Sequence, residues 1–259
     1  ICNTTAQEAT DSLWNEIQQY EAACEEPCMQ DTAKVNSLLR LGFMLEAQFP
    51  DSALGLYKEA QGLSAQIGAA LHESKAWSYS GIVNWSKGVY DESLRCHLKA
   101  LEIRDSLGNK KLVANTLNNI GLVHFYTGRF DDAESAYRSA LVTNREMSDQ
   151  SGESASYTNI GLVKRYRKEY DSAVFYYKQS LKIDESMNNS SGMAICYNNM
   201  GNAAKDQGDC EKAQAFFQKG LEIFKELNDE LSSAVVYGNI ASCYVQNKEY
   251  SRALEYGQK

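Results

Sequence analysis

The small and apolar residues of this chain return every 40 positions. Gly81, Gly121, Gly161 and Gly201 form one column, with Leu41 and Ala241 in register at its ends. A second small-residue column stands at Ala53, Ser93, Ala133, Ala173, Ala213 and Ala253. A mostly aromatic column precedes it (Pro50, Tyr90, Phe130, Tyr170, Cys210, Tyr250), and another follows it (Tyr57, His97, Tyr137, Tyr177, Phe217). Ala60, Ala100, Ala140, Ser180 and Gly220 complete the pattern. Self-similarity at a fixed period marks a repeat architecture. It divides the chain into units 33–72, 73–112, 113–152, 153–192 and 193–232, with a partial unit over 233–259 and a short segment, 1–32, ahead of them.

Within a unit the spacing predicts two helices. Leu117, Ile120, Gly121 and His124 fall on one face of the first, over 113–127. Gly128 breaks the pattern and Arg129-Phe130 turns the chain. Asp131 is a candidate N-cap for the second helix, whose face carries Ala133, Ala136, Tyr137, Ala140 and Leu141. A polar linker, Ser148 to Gly152, closes the unit. The small columns let two helix backbones approach, and an aromatic ring fills the remaining space. Ala133→Leu is therefore expected to overpack its crossing by about 1–3 kcal/mol.

The run Asn119-Ile120-Gly121, then Gly128 to Ala133, then Tyr137 and Ala140, resembles the tetratricopeptide repeat. The resemblance covers 33–259. It departs from the family's usual unit in being 40 residues long, without the closing proline. Units of this length are similar to those of kinesin light chains, of the bacterial Rap regulators and of bacterial sensor proteins. The resemblance implies an all-α fold: a right-handed α-solenoid of antiparallel helix pairs, the tetratricopeptide superhelix. First helices would then line a concave groove, and terminal units would need caps. Residues 8–24 are the expected N-terminal capping helix. The chain stops at Lys259 midway through a second helix, leaving Ala253, Leu254 and Tyr256 wanting cover. That end is expected either to continue in a longer protein or to stack on a partner, a second copy included.

Composition narrows the functions. A net charge of -8 lacks the basic footprint of a nucleic-acid binder. No apolar run is long enough to span a bilayer. The seven cysteines show no regular pairing. Cys24 and Cys28 flank Pro27 as a possible local disulfide or half metal site, but none of His72, His97 and His124 lies near them to complete a metal set. Unpaired cysteines fit the cytoplasm and a trimmed N-terminus fits the periplasm, so the compartment stays open. No phosphate loop, metalloprotease motif or nucleophile–base pair appears. His97 and His124 stand in packing positions. The reading is a non-enzyme without cofactor or metal.

The candidate site is a ladder of asparagines on the first helices: Asn119, Asn159, Asn199 and Asn239, joined by Asn118 and Asn198. Asparagine is a mediocre helix former, so its recurrence in mid-helix asks for a reason. Its amide donates and accepts, which suits an extended peptide backbone. Resemblance to kinesin light chains implies that role, and hydrogen bonding between repeats is the alternative. Trp85, Phe125, Tyr126, Arg165, Tyr166, Lys205 and Asp206 extend the same faces, and residues of these types favour recognition. First-helix windows beginning at 33, 73, 113, 153, 193 and 233 hold ten basic and four acidic residues, with Lys164, Arg165, Arg167 and Lys168 as the densest basic cluster. Such a field would favour an acidic peptide. The expected function is a protein- or peptide-binding module in a larger bacterial signalling protein. The competing expectation is an assembly module that oligomerises through its C-terminal repeat.

Overall fold

From Pro50 onward a helix begins every twenty residues, at Ala70, Tyr90, Lys110, Phe130 and so on to Tyr250. Most of these helices are 17 residues long and are joined by three-residue turns. The computed structural model describes residues 10–19 and 29–259, with side chains over 10–19 and 32–259. Among the described residues there are helices and turns but no strand. Cys2, Cys24 and Cys28 lie outside them.

Two compact units make up the chain. The first, Ile1–Gly128, contains a helix over 10–19 (α1), α2 (Met29–Leu45), α3 (Pro50–Gln66), α4 (Ala70–Ser86), α5 (Tyr90–Ser106) and α6 (Lys110–Tyr126). The second, Arg129–Lys259, contains α7 (Phe130–Glu146), α8 (Gln150–Tyr166), α9 (Tyr170–Ser186), α10 (Ser190–Gln207), α11 (Cys210–Glu226), α12 (Glu230–Gln246) and α13 (Tyr250–Gly257). From α2 onward the even helices are first helices and the odd ones second helices. The windows read from sequence start about three residues late, at 113 where α6 starts at Lys110.

Local chemistry sets both ends of these helices. Asn109, Asp149, Asn189 and Asp229, again 40 apart, cap α6, α8, α10 and α12 by accepting from the backbone N–H of the third residue on. Asp131 does not cap α7. It lies inside the first turn and pairs with Arg167, while Arg129 holds the cap position. At the other end the middle turn residue is left-handed: Gly88 has φ 75° and Lys168 has φ 62°. The N–H after it reaches back five residues, from Val89 to Asn84 O at 2.8 Å and from Glu169 to Lys164 O at 2.9 Å. This Schellman closure satisfies carbonyls that the helix end would otherwise orphan.

The small columns act as the spacing requires. A Cβ added to Gly161 would lie 2.6 Å from Tyr177 Cε1, and one on Gly201 would lie 2.5 Å from Phe217 Cδ1. Gly81 meets the buried His97 ring in the same way. The first repeat departs by one residue. Gly42, not Leu41, lies under Tyr57, and Leu41 is fully buried instead. Leu13 and Ile17 of α1 join Val35, Leu38, Leu56 and Tyr57 in one core cluster.

Packing is asymmetric within each unit. Backbones of successive first helices approach one another: α2 with α4, α4 with α6, α8 with α10, and α10 with α12. No two second helices of a unit do so among the described residues. They meet through long side chains, as where Arg138 of α7 donates to Tyr176 Oη of α9 at 2.8 Å. The first-helix face is therefore the inner face of each unit.

Candidate functional site

The first-helix face carries most of the expected site residues, in separate groups rather than as one ladder. In unit 1, Trp85 meets Tyr126 edge-on with ring centroids 5.3 Å apart, and Tyr90 stacks on the same tyrosine at 6.5 Å. Tyr126 is 53% exposed, whereas its neighbour Phe125 is only 8% exposed. Phe125 thus belongs to the core and not to the open face, a correction to its expected placement. The helical turn brings the Phe125 side chain inward and leaves Tyr126 outward. Asn118 and Asn119 are half-buried on α6.

In unit 2 the expected residues bond to each other. Asn239 donates its amide to Asn198 Oδ1 at 3.1 Å, and Lys205 donates to Asn239 Oδ1 at 3.2 Å. These bonds tie α10 to α12. Arg165 of α8 pairs with Asp206 of α10 at 2.9 Å, and its guanidinium also lies 5.2 Å from the Tyr166 ring centroid. Tyr166 is exposed and tilts against Phe130 at 6.3 Å. Asn159 and Asn199 are half-buried. For Asn198, Asn239, Arg165, Lys205 and Asp206, stitching between repeats is what the geometry displays.

Three of the four residues of the dense basic cluster, Lys164, Arg165 and Arg167, are paired with carboxylates. Lys164 pairs with Glu134 at 3.1 Å and Glu169 at 2.9 Å, and Arg167 pairs with Asp131 and with Glu134 at 3.1 Å. Burial pushes the Glu134 carboxyl up, but Arg138 and Lys164 together outweigh it and hold the group below the usual carboxylate range. Arg167 and Lys168 fall in the turn after α8, off the first-helix face. Of the four, Lys168 is the exposed one and lies outside these ion pairs.

Polar residues that the sequence reading passed over lie deeper. The column Ser64, Arg104, Asn144 and Asp184 is buried, each residue near the end of a second helix. Arg104 donates to Thr116 Oγ1 at 2.6 Å and to Ser74 O at 3.3 Å, joining α4, α5 and α6. Asn144 donates to Ser156 Oγ at 3.2 Å. Asp184 accepts from Ser154 Oγ at 2.9 Å and Asn189 Nδ2 at 2.8 Å, with Cys196 Sγ at 3.7 Å. Burial, with Asp184 adding to it, pushes the Cys196 thiol up to about 11, so it remains a donor. The missed signal was four polar residues in succession at 40-residue spacing, in a column that reverts to an apolar residue at the buried Phe224.

Two clefts open between neighbouring first helices. One, of about 340 Å³ in unit 1, lies between α2 and α4 and is lined by Asn36, Leu39, Arg40, Phe43, Met44, Lys75 and Tyr79. The other, of about 250 Å³ in unit 2, lies between α8 and α10 and includes Ser151, Thr158, Asn159 and Ile195. Among the described residues no cluster of His, Cys, Asp and Glu could hold a metal ion, and no helix is long and apolar enough to cross a membrane.

Sequence profiles described as tetratricopeptide repeat match residues 75–141 and 192–259 in one case and 154–187 in another. No curated protein is significantly similar in sequence. Among solved structures, BtubC (BKLC) from P. vanneervenii is similar with a TM-score of 0.75 at 19% identity, over 86% of this chain and 92% of its own. A STAND protein with a tetratricopeptide repeat sensor from Pyrococcus horikoshii gives 0.75 at 16% identity, over 99% of this chain and 42% of its own. A Rap protein complexed with Competence and Sporulation Factor gives 0.70 at 14% identity, over 98% of this chain and 75% of its own. At these identities the likeness is one of fold.

Proposed function

Because this chain belongs to the tetratricopeptide repeat family, we propose that it is the sensor or scaffold region of a signalling protein and binds a segment of a partner along its first-helix face. The observation that carries the reading is the pair of clefts between first helices. Each combines apolar walls with hydrogen-bonding groups: Phe43, Met44 and Asn36 in one, Ile195, Thr158 and Asn159 in the other. Mixed walls of this kind suit a peptide, whose backbone needs donors and acceptors and whose side chains need apolar cover. The solved Rap complex with Competence and Sporulation Factor lends support by likeness of fold. Lys164, Arg165 and Arg167 are paired internally, so any preference for an acidic segment would rest on Arg40 and Lys75 in the unit 1 cleft.

The test is affinity capture from the source lysate with the intact chain and with a variant carrying Phe43→Ala and Met44→Ala in one cleft and Ile195→Glu in the other. All three side chains are exposed on first helices, so the fold should persist. A partner retained by the intact chain and lost by the variant is the expected result. Equal retention by both would overturn the reading. The competing reading is assembly through the last helix, α13. A mass that rises with concentration and falls to monomer in Leu254→Glu would decide for it.

A further inference from the structure

The unit 2 cleft has a carboxylate at its base. Asp184 is 2% exposed, and its partners are the neutral groups of Ser154, Asn189 and Cys196. Among the described residues no lysine, arginine or histidine pairs with it. A buried charge ordinarily has a counter-charge, because desolvation without one is costly. The first turn of α10, capped by Asn189, lies alongside and offsets part of that charge.

The repeat itself supplies a control. One unit earlier in the same column, Asn144 does the structural work without charge. A Cβ on Gly152 would lie 2.5 Å from Asn144 Cγ, as one on Gly192 would lie 2.5 Å from Asp184 Cγ. Asn144 bonds to Ser156 on the following first helix, and Asp184 faces Cys196 at the matching position. The architecture accepts a neutral amide at this place, so the negative charge of Asp184 is not required by packing.

We propose that this cleft is a binding site for a primary ammonium group, with Asp184 as its counter-ion. Ser154 and Thr158 line the same cavity; their hydroxyls both bond to Ser180 Oγ, at 2.8 and 2.9 Å, and each oxygen has a second lone pair to offer as a neutral acceptor beside the carboxylate. An ammonium carries three N–H donors and no acceptor, which matches that set. Ala155 and the half-exposed Ile195 line the outer part, where the alkyl stem of the amine would lie. A volume of about 250 Å³ admits a butyl chain with its ammonium head. The ammonium can belong to a lysine side chain of a bound segment or to a free alkylamine. In the first case the inference rests on the binding-face reading; in the second it stands alone.

The experiment is an amide-resolved NMR titration of the full ¹⁵N-labelled chain. The probes are n-butylammonium chloride, the blocked peptide acetyl-Ala-Lys-Ala-amide, its norleucine counterpart, sodium butyrate, and sodium chloride at equal ionic strength. Saturable shifts at Ser154, Thr158 and Gly192 are expected with the two ammonium probes alone, weakened at least tenfold in Asp184→Asn. A lysine peptide binding at least tenfold tighter than butylammonium assigns the site to a side chain; parity assigns it to a free amine. Absence of saturable shifts, equal shifts with sodium chloride, or undiminished binding by Asp184→Asn would overturn the proposal. If Asp184→Asn fails to fold, Ala155→Trp, at an exposed position, blocks the mouth and must abolish the shifts. Because these probes need no macromolecule, failure here leaves the capture experiment to judge the binding face separately.

Discussion

In unit 1 the left-handed turn residues at 68, 88, 108 and 128 are all glycine, whereas in unit 2 five of six are not: Ser148, Lys168, Asn188, Asn228 and Lys248, with Gly208 the exception. Both units nevertheless make the same turn. A lysine held at positive φ loses about 1–2 kcal/mol relative to its preferred conformations. Unit 2 accepts that strain because the hairpin on either side, with its Schellman bonds and packed rings, over-determines the turn. The cores differ in parallel. Beneath the glycine column unit 1 places His97 where unit 2 places Tyr177 and Phe217. In the buried polar column unit 1 has Arg104 and unit 2 has Asp184. The repeat fixes where a turn or a ring must stand and leaves wide latitude in which residue serves; at the polar column even an apolar residue is accepted, as at Phe224.

The largest expected contrast is acid sensitivity. Burial and the nearby Arg104 lower His97 to about 4 from an ordinary 6.5. Between those values the unfolded chain takes up a proton that the folded chain refuses. The stability tied to neutral His97 is therefore complete above pH 6.5 and drains away toward pH 4, by about 3 kcal/mol. Urea unfolding at pH 7 and at pH 4.5 should show it, and His97→Tyr, the residue used elsewhere in the column, should flatten this component. An unchanged pH slope in that variant would refute the assignment.

Next in size is the glycine column. Gly161→Ala and Gly201→Ala should each destabilise unit 2 by about 1–3 kcal/mol, since the methyl group meets a fully buried ring rather than a flexible tip. Thermal melts would check this, and wild-type midpoints would contradict the close packing. Removing a stitch comes third. Asn239→Ala breaks bonds to Asn198 and Lys205 and should lower stability by about 1 kcal/mol. A variant that melts like the parent would return Asn239 to the ligand-binding role. Smallest are the turns: Lys248→Gly should gain about 0.5 kcal/mol as strain relief outweighs chain entropy, while Gly88→Ala should lose about 1 kcal/mol. If both changes had the same sign, the contrast between the units would dissolve.

The helix pairs, their columns and their family were legible because steric demands recur at every unit. Where Gly161 must face Tyr177, no other pairing of sizes fits, and the period exposes it. The half-period of twenty was harder to see, since Ser148, Lys168 and Asn188 do not resemble the glycines whose place they take. The site was less legible for a different reason. Arg165 and Asp206 could be assigned to one face by helical spacing, but whether they face a ligand or each other depends on the distance between helices, which spacing does not contain. Phe125 and Tyr126 adjoin in sequence yet part in burial, a matter of about 100° of rotation. Asp184 was overlooked because its column mixes Ser, Arg, Asn, Asp and, at 224, Phe, which share burial but no chemistry.

The unequal spacing of first and second helices has a mechanical consequence. Closing the inner face of a unit presses packed backbones together, and opening it must separate helices such as α10 and α12 that are joined by Asn239. Spreading the outer face asks only that long side chains such as Arg138 and Tyr176 change rotamer or let go. Each unit is thus a spring of unequal stiffness, hinged along its inner edge and stayed along its outer edge by replaceable tethers. Force applied to the outer face meets the softer side first.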